Sequence, residues 1–135
     1  MAEQDKGRML RRGLTKRCAN CGARGLFVGW FAMKPRCPRC GYRFERQEGL
    51  AVGAMGINII ATEALFGIFL ITALVMTVPD VPVVPLVLVA LAMNLVIPIV
   101  FYPFSKTIWA AVELMMRPLE PHEELEAMVY RDESA

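Results

Sequence analysis

Histidine is almost missing from this chain: His122 stands alone among 135 residues. No Ser/His/Asp set can be assembled around it with any support from spacing, and no Gly-rich phosphate loop is present. With no catalytic constellation in view, the expected protein is not an enzyme. Basic residues are missing in a more organised way. Between Leu50 and Phe104 there is no Lys or Arg, and the only formal charges are Glu63 and Asp80. Internal repeats and low-complexity tracts are missing too, which sets aside repeat architectures and disordered arrays. No signal peptide is expected, because residues 1–49 are basic and hold no apolar run long enough for one.

What fills the uncharged stretch is apolar. The chain is 56% hydrophobic, against about 45–50% for a soluble domain, and the excess lies between Leu50 and Phe104. A crossing takes about 20 apolar residues, so this span is too long for one and fits two. The Val78-Pro79-Asp80-Val81-Pro82 punctuation divides it. The expected fold is a membrane α-helical hairpin, with helices over 50–78 and 83–104 and an extracytoplasmic turn at 79–82. Residues 105–117 carry Ile108, Val112 and Met115 at helical spacing, as an interfacial or continuing helix. Tyr102, Lys106 and Trp109 are residue types that sit at the headgroup level. Pro118 stops that helix and Pro121 permits another short one. The tail over 118–135 is acidic and expected to be solvated, with the basic segment of the same chain as an alternative contact.

Charge orients the hairpin. Residues 1–49 carry twelve Lys/Arg against four Asp/Glu, and residues 104–135 carry three against seven. Positive flanks stay in the cytoplasm, so both termini are expected there.

The only cysteines form Cys18-x-x-Cys21 and Cys37-x-x-Cys40. Two such pairs can complete a tetrahedral four-sulfur cage. Glycine follows each second cysteine, at Gly22 and Gly41, where a knuckle needs a backbone free of Cβ. Two disulfides are the main rival, and a reducing cytoplasm argues against them. Zinc is the expected ion, with a rubredoxin-like iron as the alternative. Four thiolates close the coordination sphere, so the metal should hold a fold rather than do chemistry. About 30 residues cannot bury a sufficient core unaided. Residues 13–46 therefore read as a zinc-ribbon β module, preceded by a flexible basic segment over 1–12. Leu26, Phe27, Val28, Trp30 and Phe31 are expected as its core and strand-pairing residues, with a partner-binding patch as the alternative.

Within the first membrane helix, Gly49, Gly53, Gly56, Glu63 and Gly67 share one face, where small residues allow close helix packing. A charged group at mid-membrane costs about 2.5–3.5 kcal/mol. Glu63 is therefore expected to find a partner, either Asn94 or the Asn94 carbonyl that Pro98 deprives of its helical donor. The expectation is a polar clasp that fixes the hairpin register, with an intramembrane functional site as the alternative. Asn58 and Thr62 form a separate i,i+4 pair.

Taken together, Cys18, Cys21, Gly22, Gly25, Leu26, Phe27, Gly29, Trp30, Arg36, Cys37, Cys40 and Gly41 resemble the bacterial membrane family catalogued as domain of unknown function 983. The similarity extends to Tyr102-Pro103-Phe104-Ser105-Lys106-Thr107-Ile108-Trp109 and Arg117-Pro118-Leu119-Glu120-Pro121, covering about residues 13–121. Where many relatives read Gly-Asp-Gly-Pro, this chain has Glu48-Gly49-Leu50-Ala51. The resemblance implies no established activity. Some of the family's genes lie near those for haem-copper oxidase assembly, which associates it with respiratory-complex assembly. The expected function is a non-enzymatic adaptor or assembly factor, whose partners are the bilayer and a membrane protein or second copy. Anionic lipid headgroups are the alternative ligand of the basic module, ahead of nucleic acid. Metal delivery or redox handling is a third reading.

Overall fold

A computed structural model describes residues 5–46 and 49–135. The Glu48 position of the departing turn lies outside them, as do residues 1–4. Among the described residues four helices run in the order α1 (Lys6–Leu14), α2 (Leu50–Thr77), α3 (Val83–Met116) and α4 (Pro121–Glu133). Helices α2 and α3 pair along their length, and α1 packs on α3.

At 1.5 Å per residue, α2 is about 42 Å long and α3 about 51 Å. A bilayer's hydrocarbon core is about 30 Å thick. Both helices are long and apolar enough to cross it, and their most apolar windows are 6% and 0% buried. A core helix of a soluble protein would be mostly buried there. Val52, Ile59, Ile68, Val84, Leu91 and Leu95 are among the side chains left exposed. Helix α3 continues without a break past Phe104, and its buried residues (Pro103, Ser105, Thr107, Ile108, Ala110, Ala111 and Leu114) all lie from Pro103 onward. The overshoot is the platform on which the rest of the chain folds.

The hairpin is clasped at a different place from the one expected. Ala54, Asn58 and Thr62 are the buried positions of α2 beyond its first residue, four apart and so on one face. Asn58 Nδ2 donates to the Pro98 carbonyl at 2.9 Å, and Thr62 Oγ1 donates back to the Asn58 carbonyl at 2.8 Å. Glu63 lies about 140° around the helix from Asn58 and is exposed. Asn94 is exposed as well, and its amide bonds its own helix at the Ala90 carbonyl. The Glu63–Asn94 clasp is therefore corrected to Asn58–Pro98. The reason is rotational: equal depth in an antiparallel pair does not put two side chains on facing sides. Of the four glycines on the expected packing face, α3 meets one. A side chain at Gly53 would overlap the Trp109 ring, but at Gly49, Gly56 and Gly67 it would meet open space.

The N-terminal segment is also not what its charge implied. Asp5 caps α1 by accepting from the Gly7 amide at 3.1 Å. Met9 and Gly13 are buried. Thr107 Oγ1 donates to the Gly13 carbonyl at 2.7 Å, and a Cβ on Gly13 would stand 2.9 Å from the Thr107 carbonyl oxygen. Glycine is what lets the two backbones approach. Within the segment expected to be flexible, Lys6–Leu14 form a helix whose one narrow buried face lies against α3.

Candidate metal centre

The two cysteine pairs fold alike. In each, the glycine after the second cysteine donates to the carbonyl of the first: Gly22 to Cys18 at 2.8 Å, Gly41 to Cys37 at 3.0 Å. In each, the first cysteine's amide bonds five residues on, to Ala23 and Tyr42, both at 2.9 Å. Gly22 and Gly41 have φ of 80° and 72°, the left-handed conformation that glycine adopts without steric cost.

These turns bring all four sulfurs within 4.8 Å of one another. Cys18 and Cys40 Sγ are 3.8 Å apart, and Cys21 and Cys37 Sγ 3.6 Å. With metal–sulfur bonds of about 2.3 Å, a tetrahedron has edges of about 3.8 Å, so the four thiols fit such an ion. The separations exceed a disulfide bond, about 2.05 Å, and the cysteines are free. Cys18 and Cys37 are fully buried. As protonated and ionised thiols they share unequally. Hydrogen bonding to Cys37, then to Cys40, and then burial push Cys18 far up, and the bond from Cys18 holds Cys37 far down. A cation would let all four ionise together. Identical sulfur geometry serves zinc or iron.

The surrounding module has no strand among the described residues; Phe27–Met33 and Arg36–Arg43 form isolated antiparallel bridges. The β ribbon expected from the spacing is thus not seen as regular sheet. Leu26, Tyr42 and Phe44 are its largest buried side chains, with Tyr42 and Phe44 edge to face at 5.3 Å. They are continuous with Met9 of α1, Leu50 of α2, and Ala110, Ala111 and Leu114 of α3. Module and helix ends therefore share one core. Tyr42 and Phe44 escaped the sequence reading, although their alternation just after the second knuckle was the available signal.

Each knuckle is clamped by a terminal helix. Arg12 of α1 donates to the carbonyls of Ala19 and Asn20 at 3.2 and 2.8 Å. On the other side, a Cβ on Gly41 would collide with the Ala127 carbonyl of α4. Arg46 grips Glu123 through two bonds, at 2.6 and 2.5 Å, and also donates to the carbonyls of Arg117 and Pro118. Arg36 adds an ion pair to Glu126 at 3.2 Å and lies over the Tyr130 ring. The acidic tail expected to be solvated is a helix held by the basic module. His122 pairs with Glu120, away from the sulfurs.

The Arg46–Glu123 pair has a pH consequence. Hydrogen bonds from Arg46 hold the Glu123 carboxyl below its ordinary value of 4.5, against desolvation. A depressed carboxyl stabilises above its unfolded pKa, and that stability is lost as pH falls through the folded value. Docking of α4 should be constant at neutral pH and weaken below about pH 4. Glu123→Gln should cost about 1–3 kcal/mol at pH 7 and flatten that acid limb, read as protease cleavage within residues 118–135 against pH.

The remaining residues of interest meet at the hairpin's near end. Pro103 lacks an N–H, so the Ile99 carbonyl loses its helical donor, and a bare carbonyl in lipid costs several kcal/mol. Trp30 Nε1 fills the gap at 2.8 Å. Pro103 inside an apolar helix was the signal that such a donor was needed. Lys106 Nζ donates to the Phe31 carbonyl at 2.6 Å and lies 4.8 Å from the Tyr102 ring, which contacts Phe31. Trp109 is turned inward, over Gly53. Of the expected module core, Leu26 is buried and Phe27 half-buried. Val28, Trp30 and Phe31 are instead 76%, 47% and 53% exposed.

Residues 27–114 match a family described as "Protein of unknown function (DUF983)". The chain belongs to this family. The match takes in Cys37, Cys40, α2 and all but the last two residues of α3; α1, Cys18, Cys21 and α4 lie outside it. No curated protein and no solved structure matches this DUF983 chain.

Proposed function

We propose that this DUF983 protein is a non-enzymatic adaptor or assembly factor of a bacterial inner membrane, crossing it twice with both termini in the cytoplasm. The observation that carries this reading is the closed four-sulfur cluster set in a core shared with the ends of both long helices. Four thiolates leave a metal no open position for substrate. Zinc would be held by Cys18, Cys21, Cys37 and Cys40 and would supply folding energy rather than chemistry. The rigid head so made presents a basic surface at the membrane. Twelve Lys/Arg in residues 1–49, and none from Leu50 to Phe104, support the cytoplasmic orientation. A setting in respiratory-complex assembly is carried by the family resemblance alone.

Affinity purification from native membranes in mild detergent tests the adaptor role. The expected result is co-purification of a membrane protein at near-stoichiometric amount, dependent on intact cysteines. Recovery of the monomeric chain alone at native expression would contradict it.

A further inference from the structure

We propose that the loop Val28-Gly29-Trp30-Phe31 is a wedge that the metal-binding module inserts into the bilayer surface, on the side where the module sits. The inference goes beyond the adaptor role and rests on the two long helices crossing the membrane.

The loop's depth is measured by what it touches. Trp30 bonds the Ile99 carbonyl, and Ile99 lies seven residues before Lys106, about 10 Å along α3 toward the membrane centre. Ile99 belongs to the apolar run that opens with Val83 and meets its first charge at Lys106. If α3 crosses a bilayer, its neighbour at Ile99 is at the boundary of headgroups and acyl chains. Interfacial segments bury apolar side chains about 5–10 Å into that layer.

The loop's exposed surface fits this place. Val28 is its most exposed large side chain, and no protein group covers Trp30 and Phe31 fully. Small modules rarely leave three large apolar residues outside while their core is this small. Tryptophan with its N–H satisfied and its ring half free is suited to the interface. Two ammonium groups bracket the loop. Lys16 Nζ lies 5.0 Å from the Trp30 ring and 4.8 Å from the Phe104 ring, and Lys106 Nζ holds the Phe31 carbonyl. Their charge complements anionic headgroups. The committed occupant is thus the phospholipid of the near leaflet.

The test uses the full chain, metal-loaded, in vesicles of phosphatidylglycerol and phosphatidylcholine brominated near the top of its acyl chains. Trp109→Phe leaves Trp30 as the only tryptophan, and Trp30→Phe leaves Trp109. Trp30 emission should fall by roughly half relative to unbrominated vesicles, as for a ring at interfacial depth, and Trp109 should lose much less. Val28→Asp, an exposed change that a solvated loop would accept without effect, should reduce the Trp30 quenching and shift its emission to the red. The wedge is overturned if Trp30 is quenched no more than Trp109 and stays open to aqueous iodide while the chain resists carbonate extraction. Release of the chain by carbonate would overturn the membrane crossing and the wedge with it.

Discussion

Replacing Cys37 with serine is expected to unfold the head of the molecule and leave its hairpin in place. Cys37 is fully buried at the centre of the cluster, and its amide and carbonyl close the second knuckle through Tyr42 and Gly41. Structural zinc sites in small peptides are worth about 10–16 kcal/mol. That exceeds what the few buried side chains of residues 18–44 can supply at about 1.5–3 kcal/mol each, once chain entropy of about 1–2 kcal/mol per residue is set against them. The hairpin depends on other contacts, chiefly apolar packing and the Asn58–Pro98 bond. Loss of metal should therefore expose residues 5–46 and 118–135 to protease while residues 50–104 stay protected by membrane. Equal protease resistance in Cys37→Ser and the parent would show that the cluster is not what holds the head.

The second large effect is expected at Gly41. Alanine there meets two costs. The left-handed backbone is disfavoured by about 1–2 kcal/mol for a residue with Cβ, and the methyl would collide with the Ala127 carbonyl. Overpacking adds about 1–3 kcal/mol. Together these should cost about 2–5 kcal/mol and release α4. Gly22 is the internal control. Its φ of 80° carries the same backbone cost, but its Cβ would meet only the end of the Arg12 side chain at 3.2 Å, which can shift. Gly22→Ala should lose about 1–2 kcal/mol and leave α4 docked. Thermal unfolding of both variants, with cleavage of the tail as the second readout, separates the two. Equal effects would place α4 elsewhere.

Local chemistry was legible where a residue answers to its own neighbours. The two knuckles and their glycines follow from the CxxCG spacing, and the long helices begin at Leu50 and Val83 as the apolar runs do. What depends on a distant partner was not legible. The charges of α1 read as a flexible basic segment because its buried face is only Met9 and Gly13, and Gly13 acquires meaning only when α3 lies against it. Glu63 drew attention by its cost in lipid, whereas Asn58 makes the cross-helix bond, because sequence spacing gives depth but not which sides of two helices face. Trp30 and Phe31 looked like core by type. Their exposure follows from the module borrowing its core from Ala110, Ala111 and Leu114, which frees its own aromatics for the surface. Trp109, a residue type expected at the headgroup level, turns inward over Gly53, where any Cβ would overlap its ring.

The central claim is that four thiolates close around one structural metal ion at the head of the hairpin. Elemental analysis of the purified full chain, with its absorption spectrum and a count of reactive thiols, tests it most directly. The account predicts one zinc per chain, no visible colour, and four thiols that react only after the metal is removed. Metal-free protein with a protease-resistant head, or cysteines found as disulfides, would contradict it.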